Sequence, residues 1–540
     1  MTRTLGTLAV SLALLAACAT HPGQTGSDGL VNVPWGISAG GYPAHVEILW
    51  NDDNGASYDI WKEDGGKLVK VGTASDAPYL DFSVGQSDRA REISYRLCPS
   101  GLAPEMLDSE AFLARNPRAN ELSFKVNVPA ASDQALLDMV ERYTVRYFTD
   151  FAEPFTGMAR ERSNDRNADI VTVGGSGFGL MALIAGIERG YVPRDKAFSQ
   201  IDRVLSFLES AERFHGMWAH WYDADTRKPF SFSQFDDGGD LVESAFMAQG
   251  LITLRQYMQD KDASLARRAD ELWRSMDWKW YTRDGSDSLY WHWSKNHGWK
   301  MNHRIKGYDE CLIGYVLAAS SPTHPISGRV YQACYKTSPY YYNGKSYYGI
   351  PLTIGMEYGG PLFFTHYSFL GLDPRGLKDE LTDYYERGRA HSLIHYQYAI
   401  DNPKGYKGYG EDLWGFTSSD DPLRGYCSHH PGTDDDTGTV SPTAAVSAIV
   451  YTPEESLKCI RNLYYRLGAQ VFGPMGFYDA YNPSMVPGEQ VVKSYLAIDQ
   501  GPIAVMLENY RSGLLWKLFM SAPEIASGLE ELGLTIENNQ

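Results

Sequence analysis

The feature that most constrains this chain is a change of period at Pro129-Ala130-Ala131-Ser132. Before it, apolar residues alternate in short runs. After it, they recur at helical spacing to the end of the chain. Ser132 is a good N-cap for a helix from Asp133 to about residue 150. Further candidate helices are 177–189, 194–212, 240–258, 261–277, 307–319, 327–336, 361–371, 375–396, 440–450, 453–467 and 498–518. Segments 241–254 and 501–508 are apolar on nearly every side, whereas 194–212 and 453–467 are amphipathic. Helices of the first kind belong inside and those of the second outside. About a dozen of both kinds, with no alternating β–α pattern, predict a double ring, an (α/α)6 toroid, against an irregular bundle. Period alone does not separate these two.

Residues 30–128 read as a small β-sandwich. Ala44 to Trp50 alternates, and Tyr58-Asp59-Ile60-Trp61, Leu68 to Val71, Tyr79 to Phe82, Ile93 to Leu97 and Leu122 to Val126 follow with turns between them. The spacing of Trp50, Tyr58-Asp59-Ile60-Trp61 and Tyr95-Arg96-Leu97 resembles a fibronectin type III domain. Such a module serves as a spacer or packing partner, or binds sugar. The helical region, 129–540, is the expected catalytic domain.

Residues 1–18 read as a targeting segment. Arg3 is followed by an apolar run from Leu5 to Ala17, too short to span a bilayer as a helix. Leu15-Ala16-Ala17-Cys18 resembles a bacterial lipobox, with Cys18 as the lipidated residue and 19–29 as a polar tether. A plain secretory peptide is the alternative. The expected location is that of an exported lipoprotein, on the periplasmic side of the outer membrane or at the cell surface, touching membrane through the lipid alone. Export permits a disulfide among Cys98, Cys311, Cys334, Cys427 and Cys459, but no spacing among them fits a metal. The net charge of −18 argues against a nucleic-acid partner and is compatible with a neutral substrate. No metal and no cofactor are expected, and the expected state is a monomer.

The chemistry is sought among acids that lead into apolar helices. Asp236-Asp237-Gly238-Gly239-Asp240-Leu241-Val242-Glu243 opens one such helix, and Tyr308-Asp309-Glu310 opens another. Asp240-Leu241-Val242-Glu243 also fits a capping box, which explains neither Asp236 nor Asp237. Glu310 lies directly against Cys311-Leu312-Ile313, which favours burial and a raised pKa, unless Arg304 or Lys306 pairs with it. Two carboxyl groups, one protonated and one ionised, are what glycoside hydrolysis usually needs. Gly174-Gly175-Ser176-Gly177-Phe178-Gly179 lacks the context of a nucleotide site and reads as a tight turn packing a helix. The Asp434-Asp435-Asp436 triplet lacks the ligand order of a calcium loop.

Several runs, in order, resemble the bacterial glucoamylase-like domain of glycoside hydrolase family 144, the β-1,2-glucanases. They are Gly177-Phe178-Gly179-Leu180; Asp240 to Ala245; Tyr308-Asp309-Glu310 with Ser321 to Ile326; Gly360 to Phe364 with His366-Tyr367; Trp414 to Thr417 with Ser419-Asp420; Tyr451 to Ser456; and Lys493 to Pro502. The resemblance implies an (α/α)6 toroid, a β-1,2-glucan or its oligosaccharides as substrate, and an inverting reaction without a cofactor. Carried over, the family's acids fall on Asp236, Asp240, Glu243 and Glu310. Glu243 is assigned as general acid and Glu310 as base, with Asp240 and Asp236 positioning water or sugar. Trp291, Trp293, His297, Glu357, Tyr367, Trp414 and Asp420 are the remaining candidate sugar contacts. An α-glucan exo-hydrolase and a non-catalytic glycan-binding lipoprotein are the alternatives, and cleavage within the chain or from its end stays open.

Overall fold

A computed structural model describes residues 33–52, 55–164 and 169–537. Residues 1–32, with Cys18 and the proposed signal and tether, lie outside them. The chain divides into two compact units between Ala130 and Ala131.

The first unit holds two antiparallel sheets. One has the order β1 (Trp35–Gly41), β2 (Val46–Asn51), β5 (Tyr79–Asp81). The other has the order β4 (Lys67–Ala74), β3 (Tyr58–Asp64), β6 (Arg91–Pro99), β7 (Ser123–Val128). Alternate residues of four strands meet in one core: Val46, Ile48 and Trp50 from β2, Tyr58 and Ile60 from β3, Tyr95 and Leu97 from β6, Val126 and Val128 from β7. This is what a period of two requires of a strand with one buried face. A short helix, α1 (Glu110–Arg115), capped by Ser109, covers a second small core around Leu107, Phe112 and Leu122.

The second unit is rich in helix. α2 (Asp133–Thr149) starts at the Ser132 cap, whose hydroxyl accepts the Ala135 amide. α3 (Val173–Glu188) is buried from Val173 through Gly186, and α4 (Arg194–Ser210) buries one stripe only. α5 (Leu241–Met258) is buried almost all round, and α6 (Ala263–Arg274) is amphipathic beside it. α7 (Leu312–Ser320) and the helix Ala497–Ser512 are again buried on nearly every side. Helices apolar all round therefore sit in the interior, as their sequences require.

The glycine run 174–179 forms no turn: it is the first part of α3. At Gly177 a side chain is excluded because α3 and α5 nearly touch. A Cβ on Gly177 would lie 2.4 Å from the Phe246 carbonyl oxygen and 2.5 Å from Met247 Cα, and one on Gly250 would lie 2.3 Å from the Gly177 carbonyl oxygen. The segment read as a helix over 375–396 begins later, at Tyr384, because Asp383 supplies the cap. Cys98, Cys311, Cys334, Cys427 and Cys459 are all free.

Candidate active site

The mouth of α5 is fixed before any catalytic question arises. Asp240 is its N-cap, and its Oδ1 accepts the Glu243 amide at 2.9 Å. The Asp240 amide donates to Trp218 O and the Leu241 amide to Trp291 O. Gly239 and Asp240 (β11) pair with His292 and Trp293 (β12). A capping box needs a return bond from Glu243 to the Asp240 amide, but that amide is taken by Trp218. Glu243 turns away instead, and its Oε2 accepts the Gly174 amide at the start of α3, at 2.9 Å. The box is half built, and its glutamate is released into a cavity.

That cavity is a cleft of about 830 Å³ within the second unit. Glu161, Arg162, His220, Trp221, Asp240, Glu243, Trp291, Asp309, Glu310, Phe363, Tyr367 and Tyr426 are among its lining residues. His220 stands between two of the acids. Its Nε2 is 3.5 Å from Glu243 Oε1 and its Nδ1 is 3.4 Å from Asp240 Oδ2. Trp291 Nε1 donates to the same Asp240 oxygen at 2.7 Å. Burial disfavours the imidazolium, but Glu243 and Asp240 outweigh it and hold His220 up at about 9. Burial pushes Glu243 up to about 7, with the His220 charge pulling against it.

Glu310 is held differently. Its backbone carbonyl accepts from Ser368 Oγ, which in turn accepts the Ile313 amide of α7 at 3.0 Å. Its Oε2 is buried with no hydrogen-bond partner. Among the described residues no ion pair joins it to Arg304 or Lys306, and Lys306 Nζ instead lies over the Tyr340 ring. Burial first, and then the Asp309 carboxyl, raise Glu310 well above the usual carboxylate range, with Glu243 and Asp240 adding to the effect. Asp309 is itself raised to about 6 by burial, although its Oδ1 accepts the Cys311 amide at 2.9 Å. Burial and neighbouring acids both favour the protonated form of a carboxyl, and here they outweigh the backbone N–H of Glu310 itself.

A second acidic group lies behind Arg162 and Tyr367. Arg162 Nη1 binds Asp420 Oδ1 at 2.9 Å, the Asp420 amide donates to Asp479 Oδ2 at 2.6 Å, and the Tyr367 hydroxyl reaches Asp499 Oδ1 at 3.4 Å. Burial and the Asp420 charge push Asp479 up to about 7. Burial and Asp479 raise Asp499 further.

Of the residues singled out from sequence, Asp240, Glu243, Glu310, Trp291 and Tyr367 line the cleft. Asp236 is buried, with Oδ1 unpartnered, and is pushed up to about 6 by burial and by Asp240. Asp420 is buried behind Arg162. Four others lie outside the lining. Trp414 is fully buried, its Nε1 donating to Glu455 O at 3.2 Å, so it has no face for a sugar. Glu357 is exposed and paired with Lys345. Trp293 packs against His215 and Trp280, and His297 against Phe235. Sequence reasoning missed His220, Glu161, Arg162, Asp479 and Asp499. The aromatic run Trp218-Ala219-His220-Trp221-Tyr222 was the available signal for the first of them.

Three groups of ligand-type atoms cluster within 4.8 Å among the described residues: Asp421–Cys427–His429, His220–Asp236–Asp240 and Asp309–Glu310–Cys311. Each holds an acid already bound by protein donors: Asp421 by Thr437 and Thr439, Asp240 by Trp291, and Asp309 by the Cys311 amide.

Known proteins resemble this chain. The profile of the Glycoamylase family, described as "Putative glucoamylase", matches residues 302–523. A protein of Parabacteroides distasonis, named exo beta-1,2-glucooligosaccharide sophorohydrolase (non-reducing end), is 40% identical over 539 residues, covering 95% of this chain and 72% of the relative. The chain belongs to the glucoamylase-like glycoside hydrolases of family 144. An endo-beta-1,2-glucanase from Chitinophaga pinensis, solved with sophorotriose and glucose, superposes with a TM-score of 0.73 at 48% identity, over 75% of this chain and 99% of that one. A beta-1,2-glucanase from P. distasonis gives 0.80 at 35% identity, over 93% of this chain and 74% of that one. The first match thus spans nearly all of that structure, and the second extends over most of this chain.

Proposed function

We propose that this glycoside hydrolase cleaves β-1,2-glucan or its oligosaccharides, with Glu310 as proton donor. The observation that carries this is the pair of unlike carboxyls in one cleft. Glu310 lies beside Asp309, and its Oε2 is buried with no hydrogen-bond partner among the described residues. Glu243 is bonded to the Gly174 amide and faces His220. The first environment favours the acid form, and the second supplies what a carboxylate needs. This reverses the roles assigned from sequence order, where Glu243 was the donor. In the step proposed, Glu310 protonates the glycosidic oxygen and that bond to the anomeric carbon breaks. Water, giving its proton to the Glu243 carboxylate, supplies the oxygen that replaces it. Asp240, held by Trp291, fixes His220, and Asp236 stands behind it. The substrate follows from the names of the relatives, and the inverting course from the family.

The finer architecture belongs to the same reading. The inner buried and outer amphipathic helices support an (α/α)6 toroid, and the two-sheet core supports a fibronectin type III-like module. We propose export as a lipoprotein anchored through Cys18, and a monomeric state. The test is a polysaccharide panel with product sizing. Release from β-1,2-glucan but not from starch or laminarin is expected. Sophorose alone means cleavage from the end, and a ladder means cleavage within. Turnover of starch alone would replace this reading with the α-glucan one.

A further inference from the structure

Glu357 was singled out in the sequence, and it lies with Met356 and Tyr358 outside the cleft lining. The segment is linked to the cleft wall by packing. Phe363 lines the cleft and packs edge-on against Phe364, ring centroids 4.7 Å apart. Phe364 and Met356 close over Gly360, where a Cβ would be 3.0 Å from Phe364 Cδ2 and 2.7 Å from Met356 Sδ. Met356 is 37% exposed, and the backbone then passes through Glu357 to Tyr358. The Tyr358 ring lies 4.4 Å from that of Tyr347 and 6.4 Å from that of Tyr348, which is 41% exposed. Tyr347 ends the hairpin strand β13 (Tyr342–Tyr347), which pairs with β14 (Ile350–Ile354), and Tyr348 follows in the turn.

Two further observations mark this surface. Tyr348 and Tyr358 both adopt left-handed backbone conformations, φ 55° and 54°. At Tyr348 the hairpin requires it, since Tyr348 and Gly349 (φ 77°) form its two-residue turn; at Tyr358 it is strained and persists only where the surroundings hold it. The Asn343 amide fixes the turn by donating to Gly355 O and Met356 O, both at 2.9 Å. The polar rim carries an exposed pair of opposite sign, Lys345 with Glu357, and the Asp401 carboxylate, whose Oδ2 accepts the Tyr348 hydroxyl at 3.4 Å. A neutral, hydroxyl-rich chain fits such a strip of ring faces with a polar rim. A polyanion would gain no cation beyond one already paired.

We propose that the strip from Phe364 through Met356 to Tyr347 and Tyr348 binds the part of a neutral β-glucan chain that extends beyond the cleft. This rests on the substrate reading above. It makes the strip a determinant of chain-length preference, with no part in bond cleavage.

The test uses the full chain with Tyr348→Ala combined with Met356→Ala, and Tyr348→Phe as the conservative control. For long β-1,2-glucan the double variant should raise KM about tenfold, equivalent to about 1.4 kcal/mol, with kcat unchanged. Its kcat/KM on short oligosaccharides that the cleft alone holds should match wild type, and Tyr348→Phe should match wild type on both. An unchanged polymer KM in the folded double variant overturns the proposal, as does an equal loss on short and long substrates. If the wild-type chain turns over no β-1,2-glucan, the substrate reading fails by itself. The strip is then judged by gel retardation in β-glucan: retardation lost only in the double variant supports it, and equal migration overturns it.

Discussion

Gly174→Ala isolates the charge on Glu243 without touching an acid. A Cβ on Gly174 would lie 2.2 Å from Glu243 Oε2 and 2.9 Å from its Cδ. The carboxyl must move by about an ångström to reach ordinary contact, which breaks its 2.9 Å bond from the Gly174 amide. A hydrogen bond to a charged group is worth about 1.5–3 kcal/mol. If Glu243 acts ionised, kcat/KM should fall by about 10- to 100-fold. Loss of a donor to the charged form also raises the carboxyl's pKa, by about one to two pH units. The acid limb of the kcat/KM–pH profile on β-1,2-glucan should therefore move upward by that amount. If Glu243 were the donor, the alkaline limb would move instead. Overpacking costs about 1–3 kcal/mol, offset in part by the better helix propensity of alanine, so the variant should fold. A lowered Tm with wild-type kcat/KM and an unmoved profile would refute the assignment of an ionised Glu243.

Three further outcomes are expected. Trp291→Phe keeps a ring in the cleft but removes the 2.7 Å N–H donor to Asp240; kcat/KM should drop about tenfold or more with little change in Tm, and activity within twofold of wild type would contradict that role. Gly177→Ala drives a Cβ against the α5 backbone at 2.4 Å, which no rotamer change relieves; urea unfolding should show a loss of about 3 kcal/mol or more. Asp479, buried, has its pKa raised from 3.8 to about 7. The native state then holds a proton that the unfolded chain has released, so this stability is full below about pH 4 and is lost as pH rises to about 7. Asp479→Asn should flatten the slope of unfolding free energy in that window by up to about 1.4 kcal/mol per pH unit.

The sequence made the acids at helix mouths legible because burying charge beside an apolar run is costly without a purpose. Asp240, Glu243 and Glu310 stood out for that reason, and all three line the cleft. Their division of roles was not legible. It depends on which groups face each carboxyl, and those come from distant segments: Gly174 for Glu243, and no donor at all for Glu310 Oε2. His220, Asp479 and Asp499 were hidden for the same reason, since each gains its setting only from chain far away. Trp414 shows the opposite error. A Trp in a loop resembles a sugar contact locally, yet it is packed into the core. The glycine run 174–179 was read as a tight turn, whereas it is helical, and close packing of α3 against its neighbours, α5 at Gly177 and Phe148 at Gly179, explains its glycines.

The most direct test of the account is Glu310→Gln, which keeps the shape of the side chain and removes its proton. Reducing-end release from β-1,2-glucan should be measured for the wild type and the variant, with circular dichroism to establish that both are folded. The wild type should act on this glucan and not on starch, and the variant should lose nearly all turnover. A folded variant that releases sugar at the wild-type rate would contradict the assignment of Glu310 as the proton donor.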